Sequence, residues 1–246
     1  MKKLLFLVLL APILALAQER ENRYEVEAGM ITTSNMEIYG YGQANATQGW
    51  KANGFTYRLE YWNIKQDGWN FGAVFQPLDL NYSSQLTSNL NAKNAVFIAG
   101  NNASLNYQFP TLRFTGNYPV YGSDSGNYLR AGGSAILRYA KVGLSSSTGS
   151  FSDTNFIPIP VINLETNTAI GGNYSLFTRS DFLPSIGGNL LWDGLYDVYA
   201  GVRKKLSDGA TLGAGIRLFF GGYTSSTPND YSNKIFFKSF VVRYTW

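Results

Sequence analysis

The chain contains no cysteine and no histidine. Without cysteine there is no disulfide, no thiolate-held metal site and no thiol for a bacterial lipid anchor. Without histidine there is no side chain whose ordinary pKa suits proton transfer near neutrality, so Ser-His triads and imidazole-bound zinc are excluded. A strong charge of one sign is missing as well. Residues 18–246 carry 18 basic against 16 acidic side chains, which gives nucleic-acid binding little electrostatic support. No long helical periodicity or heptad is present, and beyond residue 16 no run approaches the roughly 18 apolar residues of a spanning helix.

One short apolar run does occur. Met1-Lys2-Lys3 precedes the stretch Leu4–Leu16, and Ala15-Leu16-Ala17 follows the small-x-small pattern of a cleavage site. A charged start, a short apolar middle and small residues at the end define an export signal, expected over 1–17 with cleavage after Ala17. The remaining 18–246 are then one domain.

What is abundant is glycine, at 26 residues, and aromatics, with 5 Trp, 17 Tyr and 16 Phe. These aromatics close segments of strict alternation. Phe236, Phe240, Val242, Tyr244 and Trp246 share one parity, while Ser239, Val241, Arg243 and Thr245 share the other. Alternation with period two is the mark of a strand with two unlike faces. An apolar, aromatic-ended face opposite a polar one suits a strand between lipid and a polar lumen. Lys238 interrupts the apolar row and is expected near the outer interface, where its long stem can snorkel. The same alternation recurs at 22–32, 55–62, 69–75, 103–118, 127–145, 156–169, 174–183, 196–202 and 212–220. Ser207-Asp208-Gly209 and Gln66-Asp67-Gly68 read as tight hairpin turns. Between Phe109 and Leu112 the apolar parity slips, which predicts a bulge at Pro110.

Ten strands result, with eight or twelve as alternatives. Long connections are expected near 34–53, 79–101, 146–156, 184–191 and 221–233, and short ones at 66–68, 117–126, 170–173 and 207–210. An even strand number with alternating long and short connections describes an all-β, antiparallel, up-and-down transmembrane barrel with both termini on the short-turn side. Such a chain belongs in the bacterial outer membrane. Its partners would be outer-membrane lipid and lipopolysaccharide, with no nucleic acid. The closing pattern Phe240, Val242, Tyr244, Trp246 resembles the C-terminal signal read by the barrel-assembly machinery.

The face opposite lipid carries the charges Glu25, Glu27, Arg58, Glu60, Arg113, Arg138, Asp197, Arg203, Arg217 and Arg243. An unpaired buried charge costs several kcal/mol, so these groups are expected to pair in the lumen. Glu25 and Glu27 share a strand face, but no motif makes them an acid–base pair. Ser145-Ser146-Ser147 reads as a solvated loop. The pairs Gly171-Gly172, Gly187-Gly188 and Gly221-Gly222 flank turns and do not sit between a strand and a helix, so they are not phosphate loops. No catalytic residue, cofactor site or metal site is expected, and the chain is not read as an enzyme.

Five segments, FTYRLEYW (55–62), NYQFPTLRFTGNY (106–118), LRAGGSAILRYAKVGLS (129–145), LYDVYAGVRKKLSDGATLGAGIRLFFGG (195–222) and the final FVVRYTW, carry a resemblance. In these the chain resembles a family of uncharacterised bacterial outer-membrane β-barrel proteins, small and OmpA-like or of omptin size, without an omptin's enzyme character. The resemblance implies the barrel fold and ten strands and brings no catalytic residues. A barrel this narrow is filled by its own side chains, whereas open water channels need about sixteen strands. The expected role is structural or surface-interacting, with a plugged, ion-paired lumen. A narrow diffusion channel for small polar solutes and, more weakly, a membrane-embedded hydrolase are the alternatives.

Overall fold

A computed structural model of the chain describes residues 21–40, 49–50, 54–65, 68–122, 126–185, 194–225 and 227–246. The expected export signal at 1–17, Gln66 and Asp67 of one hairpin turn, and Gly187-Gly188 lie outside them. The regular structure of the described residues is all strand. In chain order these are β1 (Glu21–Gly40), β2 (Gly49–Trp50), β3 (Gly54–Ile64), β4 (Asn70–Gln76), β5 (Asp79–Gln85), β6 (Leu90–Ala92), β7 (Ala95–Phe97) and β8 (Asn102–Gln108). They continue as β9 (Thr111–Gly122), β10 (Tyr128–Ser146), β11 (Ser150–Gly171), β12 (Tyr174–Leu183), β13 (Leu195–Lys205), β14 (Thr211–Tyr223) and β15 (Tyr231–Thr245).

Among the described residues, ten staves close an antiparallel up-and-down barrel, the expected number. Around the wall they run β1, β3, β4, β9, β10, β11, β12, β13, β14 and β15, and β15 returns to β1. At the seam Tyr24 and Trp246 exchange backbone hydrogen bonds of 2.9 and 3.0 Å, and their rings stack at 5.9 Å. The register pairs Glu27 with Arg243 on one side and with Arg58 on the other, so opposite charges meet on the inner face. Phe240, Val242, Tyr244 and Trp246 all point outward and are exposed, as a lipid-facing row requires.

The turns on the termini's side are tight. Asp208 Oδ1 accepts from the Ala210 N–H at 3.0 Å, and Gly209 takes the left-handed φ of +90° that the turn needs. The longer connections lie at the other end, which by the rule for such barrels is the outer one. There the expected loops 79–101 and 146–156 prove to be largely strand, 221–233 keeps a connection between Tyr223 and Tyr231, and residues 41–48, 51–53 and 186–191 of the other two lie outside the described residues. β1, β10 and β11 run for 20, 19 and 22 residues, about twice what crossing a bilayer takes. The stretch 146–156 is not a long loop: β10 and β11 stay paired up to Ser145 and Ser150. Its serines and threonines alternate across a solvated sheet, and small polar residues on such a face resemble a loop in sequence.

The bulge expected at Pro110 is also corrected. β8 pairs with β10 at Gln108↔Lys141 and β9 at Thr111↔Arg138, so equal numbers of residues separate the pairs on both strands. No residue is inserted. What changes is the face that carries the apolar side chains. In β9, Arg113, Thr115 and Asn117 are buried inside while Phe114 and Tyr118 are exposed outside. Beyond Pro110, on the same inward parity, β8 buries Leu105, Tyr107 and the adjoining Phe109, and shows Ser104 and Asn106 to solvent. The neighbouring stave does the same at Pro77: Phe71 and Phe75 face out below it, and Leu80 and Tyr82 face in above it. The two prolines therefore mark a boundary. Below it is a lipid-facing barrel with a polar interior. Above it is a two-sheet sandwich with an apolar core, β5, β8, β10 and β11 facing β1, β2 and β15.

The hairpin β6–β7 and β2 pack over the top of this core, with Leu90, Phe97 and Trp50 fully buried. Phe97 meets Phe151 at 5.9 Å, and Phe151 meets Tyr231 at 5.0 Å. The two central hairpin residues, Lys93 and Asn94, have φ of +50° and +63°, the signature of the type I′ turn that matches strand twist.

Candidate functional site

Inside the membrane-level barrel, charged side chains form one connected cluster. Asp197 accepts hydrogen bonds from Arg58, Arg113 and Arg217 at 2.9, 2.7 and 2.6 Å. Glu27 takes a two-pronged contact from Arg217, 2.7 Å on each arm, and lies 3.2 Å from Arg243. Glu60 receives Arg179 at 2.5 Å, Arg243 at 3.1 Å and the Trp62 indole N–H at 2.9 Å. Glu25 holds Arg203 at 3.1 Å, the Thr245 hydroxyl at 2.9 Å and Arg243. All these groups are buried. Their desolvation is offset only because nearly every carboxylate oxygen meets a cation or a hydroxyl.

Nine of the ten expected lumen charges enter this cluster, and Arg138 does not. Its parity is inward, but it sits above the Pro110 boundary, where its guanidinium lies 5.2 Å over the Phe109 ring. Four members were missed: Arg130, Glu165, Arg179 and Asp181. Glu165 accepts from Arg179 at 2.8 Å and from Tyr128 at 3.0 Å. Asp181 accepts from Arg113, and from Ser134 and Asn163 at 2.8 and 2.9 Å. Their strands were expected, and parity marks all four, since they alternate with outward Leu164, Thr178, Ser180, Phe182 and Leu129.

Aromatic rings fill the space between the guanidinium groups. Arg203 lies 3.2 Å over Phe177, Arg243 4.5 Å over Tyr199 and Arg179 4.6 Å over Trp62. Glycines admit these rings. A Cβ on Gly72 would fall 2.6 Å from the Trp62 indole, and one on Gly215 2.9 Å from the Tyr199 hydroxyl. Between Arg113 and the apolar core, the cavity walled by Phe109, Ile136, Phe219 and Phe237 measures about 10 Å³, room for about one water. At the termini's end the lumen widens into a vestibule of about 520 Å³ lined by Arg23, Arg203 and Lys205.

A second charge set anchors the cap. Lys93 Nζ lies 3.1 Å from Asp230 and 3.5 Å from Asp153, and the Lys93 N–H donates to the Asn229 carbonyl at 2.6 Å. The hydrogen bond to Asp230 raises the Lys93 ammonium above its ordinary value, against a smaller opposing effect of burial. Burial would raise the Asp230 carboxyl, but hydrogen bonds from Ser225, the Tyr231 backbone and Lys93 hold it below the usual range. No cluster of three or more acidic side chains that could hold a metal occurs among the described residues.

No protein-family model matches the chain, and no curated protein matches its sequence. Among solved structures it is similar to the outer membrane protease OmpT from Escherichia coli. That match has a TM-score of 0.57 at 11% identity, over 94% of this chain and 98% of that one. It is also similar to the translocator domain of the autotransporter NalP from Neisseria meningitidis, with a TM-score of 0.48 at 12% identity over 98% and 94% of the two chains. At 11% identity the likeness to OmpT is one of fold, and with the closed ten-strand antiparallel wall it defines the class: a small β-barrel of the outer-membrane type. The family resemblance drawn from segments such as 55–62 and 195–222 has no family model behind it.

Proposed function

We propose that this chain resides in the bacterial outer membrane as a closed barrel with a structural or surface-contacting role, and that it is neither an open passage nor an enzyme. The observation that carries this reading is the pairing of Arg179 on β12 with Glu60 on β3 at 2.5 Å, which spans the lumen. The apolar core above Pro77 and Pro110, under the β6–β7 cap, adds a second obstruction. Unpairing such charges in a low-dielectric interior costs several kcal/mol, so thermal opening is rare. The outer sandwich offers solvent a flat polar face. There Asn106 donates to Asp79 and Asn81 at 3.0 and 2.8 Å, and Ser104 meets Ser145 at 2.8 Å. That face suits contact with lipopolysaccharide sugars or other surface partners. The exposed row Phe240, Val242, Tyr244 and Trp246 suits both lipid and the assembly machinery.

Planar-bilayer recording on the refolded full chain tests the reading. The expected result is no discrete unit current. Reproducible single-channel steps would overturn it in favour of a narrow channel for small polar solutes.

A further inference from the structure

Above the Pro110 boundary the outer face of the sandwich carries a shallow depression of about 680 Å³, walled by β5, β8, β10 and β11 alone. That volume is within the roughly 300–1,000 Å³ of small-molecule sites. Gly143 of β10 lies at its centre, between Asn106 of β8 and Ser152 of β11. On the same face of β10, Lys141 is one step nearer the membrane and Ser145 one step farther. Glycine weakens a strand interior, and it is kept there where the backbone conformation, a close approach or a ligand requires it. The first two do not apply to Gly143. Its φ is outside the left-handed region, and a Cβ there would meet only the Phe151 carbonyl, 3.9 Å away. The space that a side chain would occupy is left to the depression.

The chemistry around it suits a ligand made of hydroxyls. The outward side chains are hydroxyls, carboxamides and the Lys141 ammonium, while Tyr82, Leu105 and Leu144 are turned to the core and buried. Asp79, in the row of Lys141, accepts from Asn106 and Gln108 at 3.0 and 3.1 Å, which fixes how those amides are turned. Protein interfaces centre on aromatic and apolar side chains, and the depression presents none. Below Lys141 the face changes. Tyr139 and Phe156 are cross-strand partners exposed on the same side, and the Tyr139 N–H donates to the Pro110 carbonyl at 3.3 Å. These two rings therefore stand at the top of the lipid-facing band. Strand rise puts Lys141 about 7 Å and Gly143 about 14 Å beyond Tyr139 along β10. Apolar rings, a cation and a hydroxyl-lined depression thus follow one another in the order in which an outer-leaflet glycolipid presents acyl chains, phosphate and sugars.

We propose that the depression over Gly143 binds the sugar head of a phosphorylated glycolipid of the outer leaflet, with Lys141 on its phosphate. The proposal deepens the surface-contact role above and rests on the outer-membrane reading.

The test is native mass spectrometry of the full chain in neutral detergent. The chain is titrated with deep-rough lipopolysaccharide and, separately, with phosphatidylglycerol, which offers phosphate and acyl chains without the sugar rings. About one retained lipopolysaccharide per chain is expected, with phosphatidylglycerol held roughly ten-fold more weakly or less. Gly143→Val should fold as the native chain does, judged by the heat-dependent gel shift of a barrel, because valine suits a strand and its side chain enters open space. It should nevertheless weaken lipopolysaccharide binding by roughly ten-fold or more. Lys141→Gln should weaken it by roughly five-fold. Equal retention of the two lipids, native affinity in Gly143→Val or a Gly143→Val chain that does not fold would overturn the proposal. So would a dimer that Gly143→Val disperses, since a second copy would then be what covers the face. Unit currents in bilayer recording would overturn the closed lumen and leave these affinities as they are, so the two readings fail separately.

Discussion

Arg179 donates to Glu60 across the barrel, from β12 to β3. In the wall order β12, β13, β14, β15, β1, β3 these two staves lie half a turn apart, so this one contact spans the lumen's diameter. The same guanidinium also reaches Glu165 on β11. The pair therefore ties β3 to the adjoining staves β11 and β12 across a lumen that no backbone ladder crosses.

Removing Glu60 alone leaves Arg58, Arg179 and Arg243 buried with one carboxylate fewer among them, whereas removing Glu60 and Arg179 together keeps the cluster's charge balance. Glu60→Ala is expected to destabilise the barrel by about 3–5 kcal/mol, whereas the paired change Glu60→Leu with Arg179→Met costs much less. Urea unfolding in lipid vesicles, followed by tryptophan fluorescence, checks this. Equal destabilisation by the single and paired variants would contradict it.

The lipid-facing row makes a second prediction. Phe240 pairs with Met30 and Ile216 and faces outward, so Phe240→Arg should cost about 2–4 kcal/mol near mid-membrane. Lys238 sits two residues nearer the outer rim on the same face, and Lys238→Leu should change stability by less than about 0.5 kcal/mol. The same vesicle assay separates them.

Gly72→Ala should destabilise the barrel by about 1–3 kcal/mol through overpacking, because its Cβ meets the Trp62 ring 2.6 Å away. Trp62 also holds Glu60 and carries Arg179 on its face. The near-ultraviolet circular dichroism should therefore change along with stability, and an unchanged spectrum would show that the ring had simply moved aside.

The cap should respond to pH through Lys93 and Asp230. Asp230 is held below its ordinary value, so its contribution is present above the usual carboxylate range and lost as pH falls through the depressed value. Lys93 is held above its ordinary value, so its contribution is present below about pH 10 and lost as pH rises through the raised value. Amide hydrogen exchange at residues 92–95, corrected for intrinsic rate, should show most protection between those limits. Asp230→Asn should remove the acid-side step.

The barrel's staves were legible because lipid on one side and charge on the other leave a period-two imprint, clearest at 236–246 and 212–220. Nine of the ten lumen charges followed from that parity, and four more carried the same mark on β10, β11 and β12. Arg138 misled because parity gives the face of a strand and not the level along it. The sandwich was hidden for a related reason. Its strands keep their inward parity while their apolar residues change sides, so Leu105 to Leu112 reads as a slip of register. The serine-rich stretch 145–152 looked like a loop because a solvated sheet face and a loop favour the same small polar residues.

The exchange of faces at Pro77 and Pro110 also sets how deeply the molecule can sit. Were it to sink, Asn81, Ser104 and Asn106 would enter hydrocarbon without water; were it to rise, Phe75 and Phe114 would leave it. Both displacements are opposed on adjoining staves at the same height, which leaves the barrel one vertical position and holds its polar sandwich clear of the bilayer surface.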